Sequence, residues 1–135
     1  MNVAHEGGCA CGRVRFEVRG PLGPVVACHC ESCRRQTGSF VMASAVAADD
    51  LAILTGAERL AEWRASDSAV RRHCSDCGSF LFWQPDGGDR VSVMAGALDQ
   101  PTGLALSEHI FVGEKGDFYD IVDALPCHAG PARSC

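Results

Sequence analysis

Most of the cysteines in this chain of 135 residues fall into three tight clusters, and this pattern constrains the fold more than any other feature. The clusters are Cys9-Ala-Cys11, Cys28-His-Cys30-Glu-Ser-Cys33 and Cys74-Ser-Asp-Cys77, and the remaining two cysteines are Cys127 and Cys135. Cysteines two or three positions apart are poorly placed to form a disulfide with one another, but they are well placed to share a zinc ion. The clusters therefore predict metal sites rather than a disulfide framework.

The length and composition are those of one globular domain. Hydrophobic residues make up 47% of the chain and charged residues 21%, which is ordinary for a folded protein. The longest weakly polar run, residues 40–48, is far shorter than the roughly twenty residues that a transmembrane helix needs. The N-terminus also lacks a basic region followed by an apolar stretch. We therefore expect a cytoplasmic protein without a membrane-spanning segment.

The charge of the chain argues against nucleic acid as a partner. The formal net charge is −5 with every cysteine counted as neutral, and metal-bound thiolates would make the protein more acidic still. An acidic protein without a basic stripe repels phosphate groups.

Short segments with strand character, separated by turn signals, predict a mainly β protein with little helix. The expected strands cover residues 14–18, 25–27, 40–46, 51–54, 60–63, 69–73, 80–83, 90–94 and 104–111. Residues 43–52 leave some room for helix because they are rich in alanine, although Asp49 and Asp50 indicate a break. The aromatic side chains of Trp63, Phe82 and Trp83 are expected in the core.

The first and third clusters predict one four-cysteine site. On an extended strand Cys9 and Cys11 point to the same face, and Cys74 and Cys77 form a knuckle that ends in Gly78. Each pair needs two further ligands, and each supplies the pair that the other lacks. The alternative joins Cys30 and Cys33 to the third cluster as a zinc ribbon, although the separation in sequence is longer than usual for such ribbons.

The second cluster, Cys28, Cys30 and Cys33, has three cysteines, and this number favours an open metal site. Structural zinc sites are normally closed by four protein ligands, whereas catalytic sites keep three and leave one position for water or substrate. A zinc ion bound to three thiolates suits a fourth sulfur ligand, which favours thiol chemistry. The alternative is a closed structural site whose fourth ligand is His29, Cys127, His128 or Cys135. His29 is the weakest of these because it points to the opposite face of a strand.

Taken in order, the cysteine clusters and their flanking residues resemble the glutathione-dependent formaldehyde-activating enzyme family, also called the centromere protein V family. The matching segments cover most of the chain and are residues 8–16, 28–40, 73–83, 96–99 and 108–111. The resemblance implies a zinc-stapled β-tent of short antiparallel sheets in a single domain at residues 1–125, followed by a C-terminal tail at 126–135. The tail, with its incidental thiols, is expected to fray.

The resemblance also implies ligand sets, cofactors and an activity. One zinc is structural and bound by Cys9, Cys11, Cys74 and Cys77, and a second zinc, assigned to catalysis, is bound by Cys28, Cys30 and Cys33. The activity of the family is that of a carbon–sulfur lyase, which joins formaldehyde to glutathione reversibly to give S-hydroxymethylglutathione. The expected partner is therefore a small-molecule thiol such as glutathione.

Five residues outside the cysteine clusters are candidates for contact with a substrate. Arg34 and Arg35 follow the last thiolate and could bind a substrate carboxylate, although a solvated turn also explains them. Gly38 and Ser39 could present N–H groups to an anion, or form a simple turn. His109 could shuttle protons, or be a packed strand histidine. A second hypothesis for the whole chain is a zinc-stapled interaction module or a thiol carrier without catalysis.

Overall fold

The computed structural model describes residues 4–131 and contains short strands with one short α-helix among them. The strands are β1 (His5–Gly8), β2 (Arg15–Val18), β3 (Val25–Cys28), β4 (Val41–Ala47), β5 (Leu51–Thr55), β6 (Leu60–Ser66), β7 (Ala69–Cys74), β8 (Phe80–Pro85), β9 (Arg90–Met94) and β10 (Leu106–Ile110). The helix is α1 (Glu31–Thr37), and single 3-10 turns occur at Ala48–Asp50, Ala57–Arg59, Ala95–Ala97 and Val112–Glu114. The protein is mainly β, as predicted.

The described residues form two compact units, of which the first comprises 4–23 and 44–103. It contains a three-stranded antiparallel sheet in the order β1-β2-β5 and further strands in the order β9-β8-β7-β6, with residues 44–47 of β4 beside β9. Phe16 of β2 and Phe82 of β8 are both buried, and their rings meet edge to face with centroids 5.1 Å apart. Aromatic pairs in this geometry add to the free energy that burial already contributes.

Of the described residues, the second unit comprises 24–43 and 104–131. Strands β3 and β10 pair in parallel within it, with His109 opposite Ala27. Residues 126–128 extend this pairing, because the His109 N–H donates to the Pro126 carbonyl and the His128 N–H donates to the His109 carbonyl. The prediction of a frayed tail is therefore wrong for 126–131, since backbone hydrogen bonds fix this segment. Cys135 lies outside the described residues.

All the predicted strands are present, most with ends that differ by one or two residues. The stretch with possible helix, 43–52, is strand with one 3-10 turn at the two aspartates. The prediction missed β1, whose Gly7 and Gly8 have low strand propensity. Gly7 is needed there because a Cβ at this position would lie 2.4 Å from the Ala97 carbonyl oxygen.

The prediction also missed helix α1, which contains both arginines that had been placed in a turn. The Cys30 side chain caps its N-terminus by accepting from the Cys33 N–H, and Gly38 ends it in the left-handed conformation. Glu31 lies in the first turn and the two arginines in the last, which complements the helix dipole.

One of the predicted core aromatic residues is misplaced. Phe82 is buried and Trp83 is half-buried, but Trp63 is 47% exposed. Trp63 lies on β6, which ends the strand order in its sheet, so part of the indole faces solvent. Among residues 4–131 no helix has both the length and the apolar character to cross a membrane.

Candidate metal centres

Cys9, Cys11, Cys74 and Cys77, here called the cysteine tetrad, come together in the first unit. Their sulfur atoms all lie within 4.8 Å of one another. The Sγ atoms of Cys9 and Cys11 are 3.5 Å apart, and those of Cys11 and Cys74 are 3.8 Å apart. Sulfurs at the corners of a tetrahedral zinc site with bonds of about 2.3 Å are roughly 3.8 Å apart. The tetrad therefore fits a zinc ion, and the ribbon alternative is wrong.

Both halves of the tetrad are turns that end in a glycine. Gly12 follows Cys11 and Gly78 follows Cys77, each with a φ near +80° that other residues rarely adopt. Strand β1 ends before Cys9, so Cys9 and Cys11 converge through a turn and not through strand alternation as expected. The turn brings the two sulfur atoms closer than two side chains on one face of a strand.

The tetrad has a buried side and an exposed side. Cys9 and Cys74 are buried, whereas Cys11 and Cys77 are exposed. Hydrogen bonds from Ser79 lower the pKa of Cys77 to about 5. This thiol is therefore a thiolate at neutral pH, the form that binds metal.

Cys28, Cys30 and Cys33, here called the cysteine triad, form the second cluster. Their sulfur atoms also lie within 4.8 Å of one another. Strand β3 ends at Cys28, Cys30 caps α1, and Cys33 lies in the first turn of the helix with 4% exposure. The change from strand to helix thus brings all three sulfur atoms to one place.

The electrostatics of the triad favour a bound cation. Hydrogen bonds with the Cys30 and Cys33 thiols, together with burial, raise the pKa of Cys28 far above that of a free thiol. Three thiolates this close repel one another, so they do not all ionise unless a cation neutralises them. Three soft sulfur donors are the set that zinc prefers. The triad, like the tetrad, could therefore hold a metal ion.

The triad has no fourth ligand among His, Cys, Asp and Glu in the part of the chain that the structure describes. The imidazole of His29 is buried and bonds to Tyr119 and His109, as its position on the opposite face predicted. His128 Nε2 lies 2.9 Å from a carboxylate oxygen of Glu108. The Cys127 thiol contacts the Leu125 carbonyl instead.

A chain of hydrogen bonds runs beside the triad. The Asp123 carboxylate lies 2.9 Å from His109 Nε2, His109 Nδ1 lies 2.9 Å from His29 Nε2, and His29 Nδ1 lies 2.6 Å from the Tyr119 hydroxyl. Burial lowers the pKa of His29, and the hydrogen bond from His109 lowers the pKa of Asp123. The sequence had indicated only His109. Tyr119 and Asp123 belong to a segment without regular secondary structure and carried no signal.

The two arginines of α1 differ in their surroundings. Arg34 is half-buried, and its Nε atom is buried without a hydrogen-bond partner in the described structure. The same holds for the hydroxyl of Ser32, which the sequence had not indicated. Arg35 is exposed and donates from Nε to Glu31, one turn earlier in the helix. Of the two, Arg34 is therefore the one with unused capacity to bind a ligand.

Gly38 and Ser39 do not present N–H groups to an anion. The Gly38 N–H donates to the Arg34 carbonyl and closes the helix, and the Ser39 N–H donates to the Thr37 hydroxyl. The predicted anion contact through these two N–H groups is therefore wrong, because the helix end already uses both of them. The plain turn, or helix cap, was the correct alternative for this pair.

Comparison with known proteins agrees with this geometry. The family model for the glutathione-dependent formaldehyde-activating enzyme matches residues 4–114. An uncharacterized lyase of Schizosaccharomyces pombe is 22% identical over 120 residues, which cover 88% of this chain and 86% of that protein. The crystal structure of a Rhodobacter sphaeroides protein, 26% identical, superposes with a TM-score of 0.61 over 76% of this chain and 99% of that one. The chain belongs to the glutathione-dependent formaldehyde-activating enzyme family.

Proposed function

We propose that this protein is a zinc-dependent carbon–sulfur lyase that binds a glutathione-like thiol at the triad and adds or removes a small aldehyde such as formaldehyde. The observation that carries the proposal is the number of ligands. The tetrad is a complete set of four sulfur donors, whereas the triad has three and no fourth His, Cys, Asp or Glu within residues 4–131. A zinc site with three protein ligands keeps a position for substrate. Membership of the family supports the same activity.

The donors at the triad would be Cys28, Cys30 and Cys33. A zinc ion bound to them supplies a Lewis acid that holds a substrate sulfur as its thiolate at neutral pH. The chain holds the three thiols in place through the end of β3 and the first turn of α1. Because the Cys30 side chain also caps the helix, the position of this sulfur is coupled to the helix itself.

Arg34 is the residue best suited to bind a carboxylate of the substrate. Arg34 follows Cys33 directly in the sequence, and its buried Nε has no hydrogen-bond partner among the described residues. Glutathione carries two carboxylates, and a hydrogen bond from an arginine to a carboxylate is among the stronger kinds in proteins. The buried Ser32 hydroxyl, also without a partner there, offers a second polar contact beside the same cysteine.

In the proposed reaction, the thiol sulfur forms a bond to the aldehyde carbon, the carbon–oxygen double bond becomes single, and the proton of the thiol ends on that oxygen. The reverse reaction breaks the carbon–sulfur bond and releases the aldehyde and the thiol. Holding the thiol and the aldehyde side by side lowers the barrier because the loss of their translational and rotational freedom has already occurred on binding.

Exchange NMR with ¹³C-formaldehyde and glutathione tests the proposal. We expect zinc-loaded protein to increase the rate of exchange between free formaldehyde and S-hydroxymethylglutathione. Cys30→Ser should return the rate to that of the solution without protein, and serine still caps the helix. The matched control, Cys127→Ser, removes an exposed thiol outside both clusters and should keep the wild-type rate.

A wild-type rate equal to that of the solution without protein would refute the lyase activity. Equilibrium dialysis with glutathione would then identify the protein as a thiol carrier if the thiol binds, and as a zinc-stapled interaction module if it does not.

A further inference from the structure

Ser79 lies where the two halves of the tetrad meet. It comes two residues after Cys77 and is half-buried. Its hydroxyl oxygen, Oγ, lies 2.9 Å from the backbone nitrogen of Ala10, the residue between Cys9 and Cys11. Ser79 and Ala10 are 69 positions apart in the sequence. This hydrogen bond therefore joins the two segments that supply the four sulfur atoms.

The same hydroxyl group contacts a candidate metal ligand directly. Ser79 Oγ lies 3.3 Å from Cys77 Sγ. A backbone N–H can only donate, so Ser79 Oγ accepts the hydrogen bond from Ala10 and its own hydrogen stays free. A metal-bound cysteine is a thiolate without a hydrogen, so its sulfur accepts. The Ser79 hydroxyl can therefore accept from one half of the tetrad while it donates to a sulfur of the other half.

The backbone around Ser79 fixes the position of this hydroxyl group. The Cys74 N–H donates to the Ser79 carbonyl at 3.0 Å, and the Gly78 N–H donates to the Cys74 carbonyl at 2.8 Å. These two hydrogen bonds close the turn that contains Cys74 and Cys77. Ser79 is therefore held by the same turn that holds two of the four sulfur atoms.

An ion pair between Arg13 and Asp76 also links the two halves of the tetrad, but it is a weaker link. The Arg13 guanidinium and the Asp76 carboxylate are 3.5 Å apart, and the Arg13 side chain is 58% exposed. Asp76 also pairs with Arg59. Exposed ion pairs contribute little to stability, and this one contacts no sulfur atom that would bind the metal.

We propose that Ser79 is a positioning residue for the metal of the tetrad, because its hydroxyl group joins the two cysteine turns and orients Cys77 Sγ towards the ion. Hydrogen bonds to the ligands of a metal orient those ligands, and their removal typically lowers the affinity for the metal by roughly 10- to 100-fold. The bond with Ala10 needs no metal, so it holds the two turns together before the ion binds. The proposal concerns the tetrad alone and is independent of the activity proposed for the triad.

The affinity for zinc, measured in competition with a fluorescent chelator, tests the proposal. The measurement uses the full chain with Cys28→Ser and Cys30→Ser, so that zinc bound at the triad does not contribute. Ser79→Ala removes the hydroxyl group and should lower the affinity about tenfold. Ser79→Thr keeps a hydroxyl group on the same carbon and should retain the affinity. The matched control, Ser75→Ala, makes the same change at an exposed position of the same turn and should also retain it.

Two spectroscopic readouts distinguish positioning of the sulfur from a general effect on the fold. In NMR of the zinc-loaded chain, the Ala10 N–H should exchange faster in Ser79→Ala, which removes its acceptor, and at the wild-type rate in Ser79→Thr. With Co²⁺ at the tetrad, Ser79→Ala should move the sulfur-to-metal charge-transfer band to longer wavelength, because the hydrogen bond no longer stabilises the lone pairs of Cys77 Sγ. Ser75→Ala should change neither readout.

The proposal is overturned if Ser79→Ala binds zinc as tightly as Ser75→Ala, or if Ser79→Thr binds it as weakly as Ser79→Ala. It is also overturned if the Ala10 N–H exchanges at the same rate in the wild type and in Ser79→Ala, since the hydrogen bond between the two halves would then be absent. An unchanged charge-transfer band in Ser79→Ala would show that the hydroxyl group does not donate to Cys77 Sγ and would overturn the proposal as well.

Discussion

The tetrad should contribute more to stability than the triad, and two matched double substitutions test this. Cys11→Ser with Cys77→Ser removes one ligand from each half of the tetrad, and two remaining thiols do not retain zinc well. Both side chains are exposed, so their replacement by serine leaves no cavity in the core. Cys28→Ser with Cys30→Ser likewise leaves a single thiol at the triad.

The expected difference follows from the length of chain that each metal closes. Cys11 and Cys74 are 63 positions apart, whereas the triad spans only about five. By the loop-entropy relation for a cross-link, the longer loop is worth about 4 kcal/mol and the shorter about 2 kcal/mol. At about 3–5 °C per kcal/mol for a domain of this size, the tetrad variant should lose at least about 12 °C in melting temperature.

Differential scanning calorimetry in buffer with zinc measures both variants, and elemental analysis should show that each has lost one zinc ion per chain. The variant Cys127→Ser, with an exposed thiol outside the clusters, should melt with the wild type. Equal losses for the two double variants, or a wild-type melting temperature for the tetrad variant, would refute the assignment of the tetrad as the structural site.

Three further predictions concern acid, the substrate and the C-terminal segment. On acid titration with a zinc-sensitive dye, the triad should release its metal at a higher pH than the tetrad, because three thiolates hold the ion less tightly than four; simultaneous release would contradict this. In calorimetry, Arg34→Ala should weaken glutathione binding by about 1.5–3 kcal/mol and leave the affinity for 2-mercaptoethanol unchanged. The control Arg35→Ala, which removes an exposed ion pair, should change neither affinity. Equal losses for both thiols would show that Arg34 acts on the charge of the triad. Truncation after Leu125 should lower the melting temperature and speed amide exchange at His109, Phe111 and Val112, because their N–H groups donate to carbonyls of the segment 126–131 that is removed. Unchanged exchange rates would mean that this segment does not stabilise the second unit.

The metal clusters and most strands could be predicted from the sequence because their signals are local. The spacing of the cysteines indicates which sulfur atoms lie in the same turn, and the alternation of apolar and polar residues indicates which strands have one buried face. Helix α1 was missed although its signals are also local, with Glu31 in the first turn and Gly38 at the end. The spacing of the cysteines indicates metal binding, and it does not show that Cys30 is also the helix cap.

The parts that could not be predicted depend on contacts between distant segments. His29 and Tyr119 are 90 positions apart, and nothing in either neighbourhood indicates that they meet. The same is true of the pairing of 126–128 beside β10, since a segment with proline and without strand propensity acquires its hydrogen bonds only from a strand that is already in place. Arg34 and Arg35 look alike in sequence, and only burial distinguishes them.

The division of the chain has a consequence for the order in which the two units are completed during synthesis. The first unit is complete once residue 103 has left the ribosome, and all four of its tetrad cysteines have been made by residue 77. The second unit begins with residues 24–43, which include the whole triad, yet its partners start at residue 104. The triad cysteines are therefore made early and must wait, as exposed thiols or with zinc already bound, while some seventy residues are added before residue 104. His29 gains its neighbours only when Tyr119 and the segment beside β10 emerge, so the site that we assign to the chemistry cannot be completed before that segment has been made.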